Sequence, residues 1–273
     1  VGGGPDGVGG VATAGPDQFL CGLQTVTLAG SNPNLGTSLW TVISGATPTF
    51  SSTSDPNASL TNLSFGSLSL EWRITEGSCE SRDTVLIDIT NPPPPADAGP
   101  DQGLCDTTAT TLNGSTVTSG AGIWTIASGN GTFTAPNSPN SDVTGIGPGL
   151  NQYIWTINFG ACTTTDTVDI TRTIQSIFAN AGPNQSFCGV QPITLAGNDP
   201  NPASGEWVLG SIGSATFTDS SLFNTGASGL SLGTNELFWT IQEGFCTDTD
   251  TVVIDVTPIP SPANAGPDQA LCD

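Results

Sequence analysis

The seven cysteines are the residues of this chain best suited to covalent chemistry, and their spacing is regular. Two series share one period of 83 or 84 residues: Cys21, Cys105, Cys188 and Cys272, and then Cys79, Cys162 and Cys246. The chain has no histidine, so the commonest general base and the commonest metal ligand are missing from the whole sequence. Thiols in this setting favour structural disulfides, which form in oxidising compartments outside the cytoplasm.

Carboxylates offer the other possible chemistry. A pair such as Asp248 and Asp250 would suit glycoside hydrolysis. The pair lies where a hairpin leads into a strand, and the same region of the other repeats carries Thr or Ser, which favours a solvated turn. No nucleophile elbow, P-loop or zinc-binding spacing is present. We therefore expect no catalytic, cofactor-binding or metal-binding residues, and we expect that the protein is not an enzyme.

Calcium is the alternative that the sequence leaves open, because an Ala-Gly-Pro-Asp-Gln motif brings an aspartate into every repeat but one. Carboxylate oxygens are the ligands that calcium prefers, and the candidates are Asp17, Asp101 and Asp268. The third copy of the motif has Asn184 instead, which weakens the hypothesis. A turn in which Asp accepts backbone N–H groups explains the same residues without an ion.

The charge balance excludes two classes of partner. The formal net charge is −21, with 24 acidic residues against three arginines: Arg73, Arg82 and Arg172. Binding to nucleic acid or to an anionic membrane surface requires many Lys and Arg side chains. No apolar run is long enough to predict a transmembrane helix. We expect no nucleic-acid partner and no membrane insertion.

An internal repeat dominates the sequence. The Ala-Gly-Pro-Asp-Gln motif begins at Ala14 and returns at Ala98, Ala181 (with Asn184) and Ala265, always with a cysteine at the same offset. Because the chain lacks Met and its last repeat stops just after Cys272, we expect a piece of a longer protein. The predicted divisions are a Gly-rich lead-in or linker (1–13), three repeats (14–95, 96–178 and 179–262) and the start of a fourth (263–273).

Each repeat has the pattern of an immunoglobulin-like β-sandwich. Short alternating apolar segments such as Leu70, Trp72 and Ile74 predict strands, and turn residues separate them at even spacing. The fold class is therefore all-β, with tandem sandwich modules of about 84 residues and one disulfide each. The predicted core contains two tryptophans from each repeat: Trp40 and Trp72, Trp124 and Trp155, Trp207 and Trp239.

Two disulfide patterns fit the spacing. Pairing within repeats joins Cys21–Cys79, Cys105–Cys162 and Cys188–Cys246 and leaves Cys272 for a partner beyond this chain. Pairing across the linkers joins Cys79–Cys105, Cys162–Cys188 and Cys246–Cys272. The first strand of such a sandwich begins at the pole where the last hairpin turns, and the last strand then runs roughly 33 Å away from that hairpin. Bonded Cα atoms lie within about 7 Å, so we predict pairing within repeats.

The linkers differ in composition. Asn91–Pro95 contains four consecutive prolines and predicts a stiff polyproline II spacer, and Pro258, Pro260 and Pro262 predict a similar one. The linker Thr173–Phe178 has no proline, and its Ile177 and Phe178 are expected to pack on an adjoining module.

The set of motifs resembles the tandem immunoglobulin-like or PKD-like modules of very large Bacteroidota surface proteins, including the repeat adhesins associated with gliding motility. The resemblance covers residues 14–273 and rests on Ala-Gly-Pro-Asp-Gln…Cys, Trp-Thr-Val/Ile, Trp-x-Ile…Cys and Asp-Thr-Val. It implies export by the type IX secretion system to the cell surface. It also implies O-glycosylation at Asp-Thr-hydrophobic sites, which here are Thr84, Thr167 and Thr251.

Three functions remain open from the sequence. The favoured one is a structural stalk or fibre segment of a large extracellular adhesin or appendage, because the module repeats in phase without change of type. The alternatives are spacer modules of a secreted polysaccharide-degrading enzyme or protease, and a module that itself binds carbohydrate or calcium. The expected partners are other modules of the same chain, identical chains in a fibre, and an unidentified surface or glycan receptor.

Overall fold

The computed structural model describes residues 10–266, which form three successive sets of seven β-strands. The alternating apolar residues give each long strand one buried and one wet face. The strands of the first repeat are β1 (Gln18–Cys21), β2 (Val26–Thr27), β3 (Thr37–Ser44), β4 (Thr49–Phe50), β5 (Ser59–Thr61), β6 (Gly66–Glu76) and β7 (Cys79–Thr90).

The second and third repeats reproduce this order. The second contains β8 (Gln102–Cys105), β9 (Ala109–Thr111), β10 (Ala121–Ser128), β11 (Thr132–Phe133), β12 (Asp142–Thr144), β13 (Gly149–Phe159) and β14 (Cys162–Thr173). The third contains β15 (Gln185–Cys188), β16 (Ile193–Thr194), β17 (Ser204–Leu209), β18 (Thr216–Phe217), β19 (Gly226–Ser228), β20 (Gly233–Glu243) and β21 (Cys246–Thr257). The all-β prediction is confirmed.

Each repeat has a four-stranded and a three-stranded sheet. In the first repeat the strand orders are β1-β7-β6-β3 and β2-β5-β4, and the other repeats have the equivalent orders. The long strands β6 and β7 form an antiparallel hairpin in which Glu76 faces Cys79. The short first strand β1 runs parallel to β7, with Gln18 opposite Ile87 and Cys21 opposite Thr90. This parallel pairing decides where the first cysteine of each repeat lies.

The predicted tryptophan core is present in every repeat. Trp40 lies directly opposite Trp72 in the β3–β6 register, and their ring centroids are 4.6 Å apart. Both indole N–H groups donate to backbone carbonyls, at 3.0 and 2.9 Å, so burial leaves no indole donor unpaired. The other repeats repeat the pair with similar separations, and all six rings are at most 2% exposed: Trp40, Trp72, Trp124, Trp155, Trp207 and Trp239.

The chain divides into two compact units whose boundary passes through the second repeat. Among the described residues, one unit contains 10–101, 109–145 and 152–169, and the other contains 102–108, 146–151 and 170–266. No helix that could cross a membrane occurs in the part of the chain that the structure describes. The limits of the repeats given above stay a prediction.

Candidate functional site at the junctions between repeats

The disulfides join neighbouring repeats, so the predicted pairing within repeats is wrong. Cys21 of the first repeat bonds Cys162 of the second, with Cα atoms 4.8 Å apart. Cys105 of the second repeat bonds Cys246 of the third, with Cα atoms 4.9 Å apart. Cys79 and Cys188 are free and exposed, and Cys272 lies outside the described residues. The pairing across the linkers that the sequence also allowed is not observed either.

The direction of the first strand explains the error. The segment leading into β1 does begin beside the hairpin, because the Ala12 amide donates to Ser81 Oγ at 2.9 Å. It then runs parallel to β7, so Cys21 ends beside Thr90, at the opposite pole from Cys79. At about 3.3 Å per residue, the eleven steps from Cys79 to Thr90 separate those cysteines by roughly 36 Å. No disulfide can span that distance.

At the first junction the hairpin tip of the second repeat lies on Thr90. The Ala161 amide donates to Thr90 Oγ1 at 3.4 Å, and Cys162 Sγ lies 3.7 Å from the Thr90 carbonyl oxygen. Gly160 has a positive φ of 56°, and a β-carbon there would collide with the Thr90 side chain. The tip therefore requires glycine both for its backbone conformation and for this close approach.

The second junction repeats the arrangement with different side chains. The Phe245 amide donates to Thr173 Oγ1 at 3.1 Å, and Cys246 Sγ lies 3.7 Å from the Thr173 carbonyl oxygen. The Phe245 ring lies against Gly103, where any β-carbon would overlap it. At the first junction the large and small residues are exchanged: Phe19 stands at the position of Gly103, and Ala161 stands at the position of Phe245. Each junction thus combines one large and one small residue.

The proline-free linker binds a carboxylate of the third repeat. Glu243 accepts hydrogen bonds from the Ser176 hydroxyl (2.6 Å), the Ser176 amide (2.7 Å) and the Ile177 amide (3.1 Å). The Ser176 hydroxyl is the largest cause that lowers the pKa of Glu243, because these donors favour the charged form. Ile177 also packs on the core of the third repeat, as expected, whereas Phe178 is 64% exposed.

The Ala-Gly-Pro-Asp-Gln motif is held by side chains of the last strand. The amides of Ala14, Ala98 and Ala181 each donate at 2.8 Å to the aspartate of the Asp-Thr-Val sequence in the same repeat. Two residues earlier in the chain, another amide donates to Ser81, Thr164 or Asp248. Asp248 and Asp250, considered above as a carboxylate pair, therefore each accept a backbone amide.

The acidic residue of the motif has the same role in each repeat. Asp17 Oδ1 accepts the Leu86 amide at 2.8 Å, and Asp101 Oδ1 accepts the Asp169 amide at 2.9 Å. Asn184 Oδ1 accepts the Val253 amide at 2.9 Å, so the amide oxygen replaces the carboxylate oxygen directly. Asp268 lies outside the described residues. A backbone bond that Asn makes equally well explains the Asp-to-Asn exchange without a metal.

One group of potential metal ligands occurs within residues 10–266. Cys105, Asp106 and Cys246 place one ligand atom each within 4.8 Å of one another. The two sulfurs are joined to each other, so neither is the thiolate that binds metals. This group is accounted for by the disulfide.

The three predicted glycosylation sites are accessible. Thr84, Thr167 and Thr251 are all exposed, on strands whose neighbouring Val residues are buried. The aspartate that precedes each threonine is engaged by the alanine amide described above. Modification of these threonines stays a prediction.

The role of the motif aspartate can be tested with a conservative and a disruptive variant. We expect Asp17→Ala to lower the free energy of unfolding of the first repeat by about 1 kcal/mol, because the Leu86 amide loses its acceptor. Asp17→Asn is the matched control, since Asn184 makes this bond in the third repeat, and should have little effect. Urea unfolding of both variants measures the difference. An equal loss in both would show that charge, and not the hydrogen bond, matters.

The disulfide pattern can be read with trypsin, because the only cleavage sites follow Arg73, Arg82 and Arg172. After alkylation in denaturant, we expect the peptide Ile74–Arg82, which contains Cys79, to be released as a free alkylated peptide. The other three tryptic peptides should stay joined in one species by the two disulfides. Recovery of Ile74–Arg82 linked to the peptide that contains Cys21 would restore the pairing within repeats.

The strand order, the paired sheets and the parallel first strand define tandem immunoglobulin-like β-sandwich domains. No family model matches the chain, and no curated protein matches it either. Among solved structures, the N-terminal eight immunoglobulin domains of the Down syndrome cell adhesion molecule are similar at 10% identity. That match has a TM-score of 0.51 and covers 90% of this chain and 36% of the other.

Two further structures are similar over most of this chain. Titin domains I67–I69 match at 12% identity and a TM-score of 0.42, covering 90% of this chain and 97% of the titin fragment. Extracellular domains 3–5 of Drosophila OTK match at 9% identity and a TM-score of 0.41, covering 93% and 98%.

The disulfides indicate the compartment in which the protein works. The similarity to the adhesion-molecule domains concerns the fold alone, at 10% identity. Two disulfides of long loop length indicate an extracellular protein, since the cytoplasm keeps thiols reduced.

Proposed function

We propose that this chain is a stalk segment of a large bacterial adhesin displayed at the cell surface, and that its task is to transmit force between distant parts of that protein. The observation that carries the proposal is the pair of disulfides that join neighbouring repeats. A domain that only separates two binding modules needs no covalent bond to its neighbour beyond the chain itself. A domain under tension gains from one, because each bond provides a second covalent path through the junction.

The junctions support the same function without any ligand chemistry. Each tip contact combines a disulfide with one hydrogen bond from a backbone amide of the tip to a threonine hydroxyl, that of Thr90 or Thr173. Asp17 and Asp101, at the starts of two repeats, each accept a backbone amide. The proposal includes that the segment has no catalytic activity and that its acidic surface keeps it soluble.

The proposal is tested on cells that carry the natural protein. Antibodies raised against this segment should label intact cells, and Cys21→Ser/Cys162→Ser cells should keep that labelling. In a flow chamber the variant cells should detach at a lower shear stress than wild-type cells while attaching equally well without flow. Ile43→Ala is the control, because Ile43 is 54% exposed and the substitution leaves every cysteine in place. The proposal would be overturned if the antibodies detected the protein only in the culture medium, or if variant and wild-type cells detached at the same shear stress.

A further inference from the structure

Two exposed cysteines occupy positions that are bonded in the neighbouring repeats. Cys79 and Cys188 are free. Their equivalents are all engaged: Cys162 and Cys246 at the hairpin position of Cys79, and Cys21 and Cys105 at the first-strand position of Cys188. The same sequence position thus forms a bond wherever a neighbouring repeat is present to receive it.

The hairpin tip beside Cys79 has the shape of the docked tips but has no neighbouring repeat against it within residues 10–266. Gly77 has a φ of 59°, against 56° for both Gly160 and Gly244. A β-carbon at Gly160 or Gly244 would meet a threonine side chain, whereas one at Gly77 would meet no atom within 4 Å. The tip is therefore built for a contact that residues 10–266 do not supply.

The pole beside Cys188 has the complementary features. The Thr257 carbonyl accepts the Gly189 amide at 2.8 Å, as the Thr90 carbonyl accepts the Gly22 amide at 2.9 Å. The Thr257 hydroxyl donates to the Phe187 carbonyl at 3.2 Å. At the two formed junctions the equivalent hydroxyls instead accept an amide from the next hairpin tip. Thr257 is therefore placed to receive a tip in the same way.

We propose that the Cys79 tip and the Cys188 pole are the two halves of one docking interface, each completed by another repeat of this same type. A tip like Gly77–Cys79 seats its amide on the pole threonine and its thiol against the pole cysteine. This inference deepens the proposed stalk function by naming the partner of the segment. Its test is the disulfide between Cys79 of one copy and Cys188 of another, which is measured without any adhesion assay, so its failure can be told apart from failure of the stalk function.

The residue before the tip glycine selects the linker that the tip accepts. Glu243 binds the hydroxyl and amides of a proline-free linker. At the first junction Phe159 stands at this position, and the linker Asn91–Pro95 has four prolines that lack N–H donors. Glu76 is the equivalent residue at the open tip; its backbone pairs with Cys79 in the hairpin, and its carboxylate has no hydrogen-bond partner among residues 10–266. In this chain the residue equivalent to Ser176 at the Glu76 tip is Gly9 of the lead-in to the first repeat, because Glu243 follows Ser176 and Glu76 follows Gly9 by the same 67 positions.

The pole beside Cys188 prefers the opposite kind of tip. Its linker contains Pro258, Pro260 and Pro262, so it resembles the first linker and not the second. A glutamate at the tip would be desolvated there without amide donors, which is unfavourable. An apolar residue at that position needs no amide donors, and Phe159 holds it in the repeat that follows the four-proline linker.

Closing the interface is a two-electron oxidation. The thiols of Cys79 and of the partner's pole cysteine lose two protons and form one S–S bond. A small-molecule disulfide such as oxidised glutathione accepts the two electrons, its own S–S bond breaks, and it leaves as two thiols. Docking raises the effective concentration of the two thiols, so the bond forms between matched ends first.

The experiment uses a second copy of this chain as the partner, in a Cys272→Ser background. At about 0.1 mM protein in a glutathione redox buffer, Cys79 of one copy should bond Cys188 of another and give a ladder of multimers. Random pairing in urea gives the Cys79–Cys188, Cys79–Cys79 and Cys188–Cys188 bonds in a ratio of 2:1:1. In the folded protein we expect the abundance of the Cys79–Cys188 bond, relative to the two symmetric bonds, to be about tenfold higher than in urea. The inference would be overturned if the folded protein gave the same 2:1:1 ratio as in urea. It would also be overturned if Cys79 and Cys188 of one copy bonded each other, which gives a monomer with neither thiol free.

Matched variants test the choice of linker. Glu76→Phe copies the Phe159 tip and should raise the initial rate of mixed-bond formation severalfold, because the partner pole has a proline linker. Glu76→Ala removes the carboxylate without adding the apolar contact and should change the rate less. Equal rates for Glu76→Phe and Glu76→Ala would refute the linker preference. Both variants lie on an exposed tip, and retained native Cys21–Cys162 and Cys105–Cys246 bonds report that they are folded.

Discussion

When pulled between Cys21 and Cys246, the fully unfolded protein is expected to extend about four times further when reduced than when oxidised. The reduced chain spans about 225 residues between these positions, or roughly 790 Å at 3.5 Å per residue. In the oxidised chain the shortest covalent path crosses the first disulfide, returns from Cys162 to Cys105 and crosses the second. That path contains about 57 residues, or roughly 200 Å. Single-molecule force spectroscopy measures both lengths.

A double variant distinguishes this topology from disulfides within repeats, which would give a similar oxidised length. In Cys21→Ser/Cys162→Ser the observed pattern leaves only Cys105–Cys246 and predicts about 84 residues, or roughly 290 Å. Bonds within repeats would leave only Cys188–Cys246 closed and give about 167 residues, or roughly 580 Å. Replacing Cys79 and Cys272 by Ser prevents exchange with other thiols. An increment near the longer value would contradict the junction disulfides.

Removing one tryptophan of the second repeat should cost about 3–5 kcal/mol of its unfolding free energy. The Trp155 ring is fully buried, lies 5.0 Å from the Trp124 ring between centroids, and covers Gly122. Its indole N–H donates to the Ser115 carbonyl at 3.1 Å. Trp155→Ala leaves a large cavity and an acceptor without its donor, and a neighbouring side chain cannot fill the space without distorting the sheet.

Hydrogen exchange with mass spectrometry localises that loss. Amides of β13 that exchange only through unfolding of the repeat should exchange at least a hundredfold faster in Trp155→Ala, since each 1.4 kcal/mol is tenfold. Ile43→Ala is the matched control, because Ile43 is 54% exposed and its truncation should change exchange little. Exchange in the first repeat should stay nearly constant in both. A uniform acceleration along the chain would mean that the repeats unfold as one unit.

Some features of the junctions were recognisable in the sequence although their role was not. Thr90, Thr173 and Thr257 recur in phase at the end of each last strand, and this recurrence marks the receiving pole. Asp83, Asp166 and Asp250 recur likewise as the first residue of the Asp-Thr-Val motif, and each accepts the amide of an alanine about 69 residues earlier in the chain. Such roles depend on which distant segment lies beside each side chain, and a periodic pattern within one strand does not contain that information.

The sequence by itself determined the period, the all-β class and the six core tryptophans, because these follow from local alternation and from the phase of the repeat. It could not determine which cysteine bonds which. In a periodic chain the second cysteines of all repeats are equivalent in sequence, so Cys21 has several candidates at once. The choice depends on the parallel run of β1 along β7, which carries Cys21 to the far pole, and on the next hairpin tip that docks there. Both are contacts between distant segments, and only the tertiary structure brings those segments together.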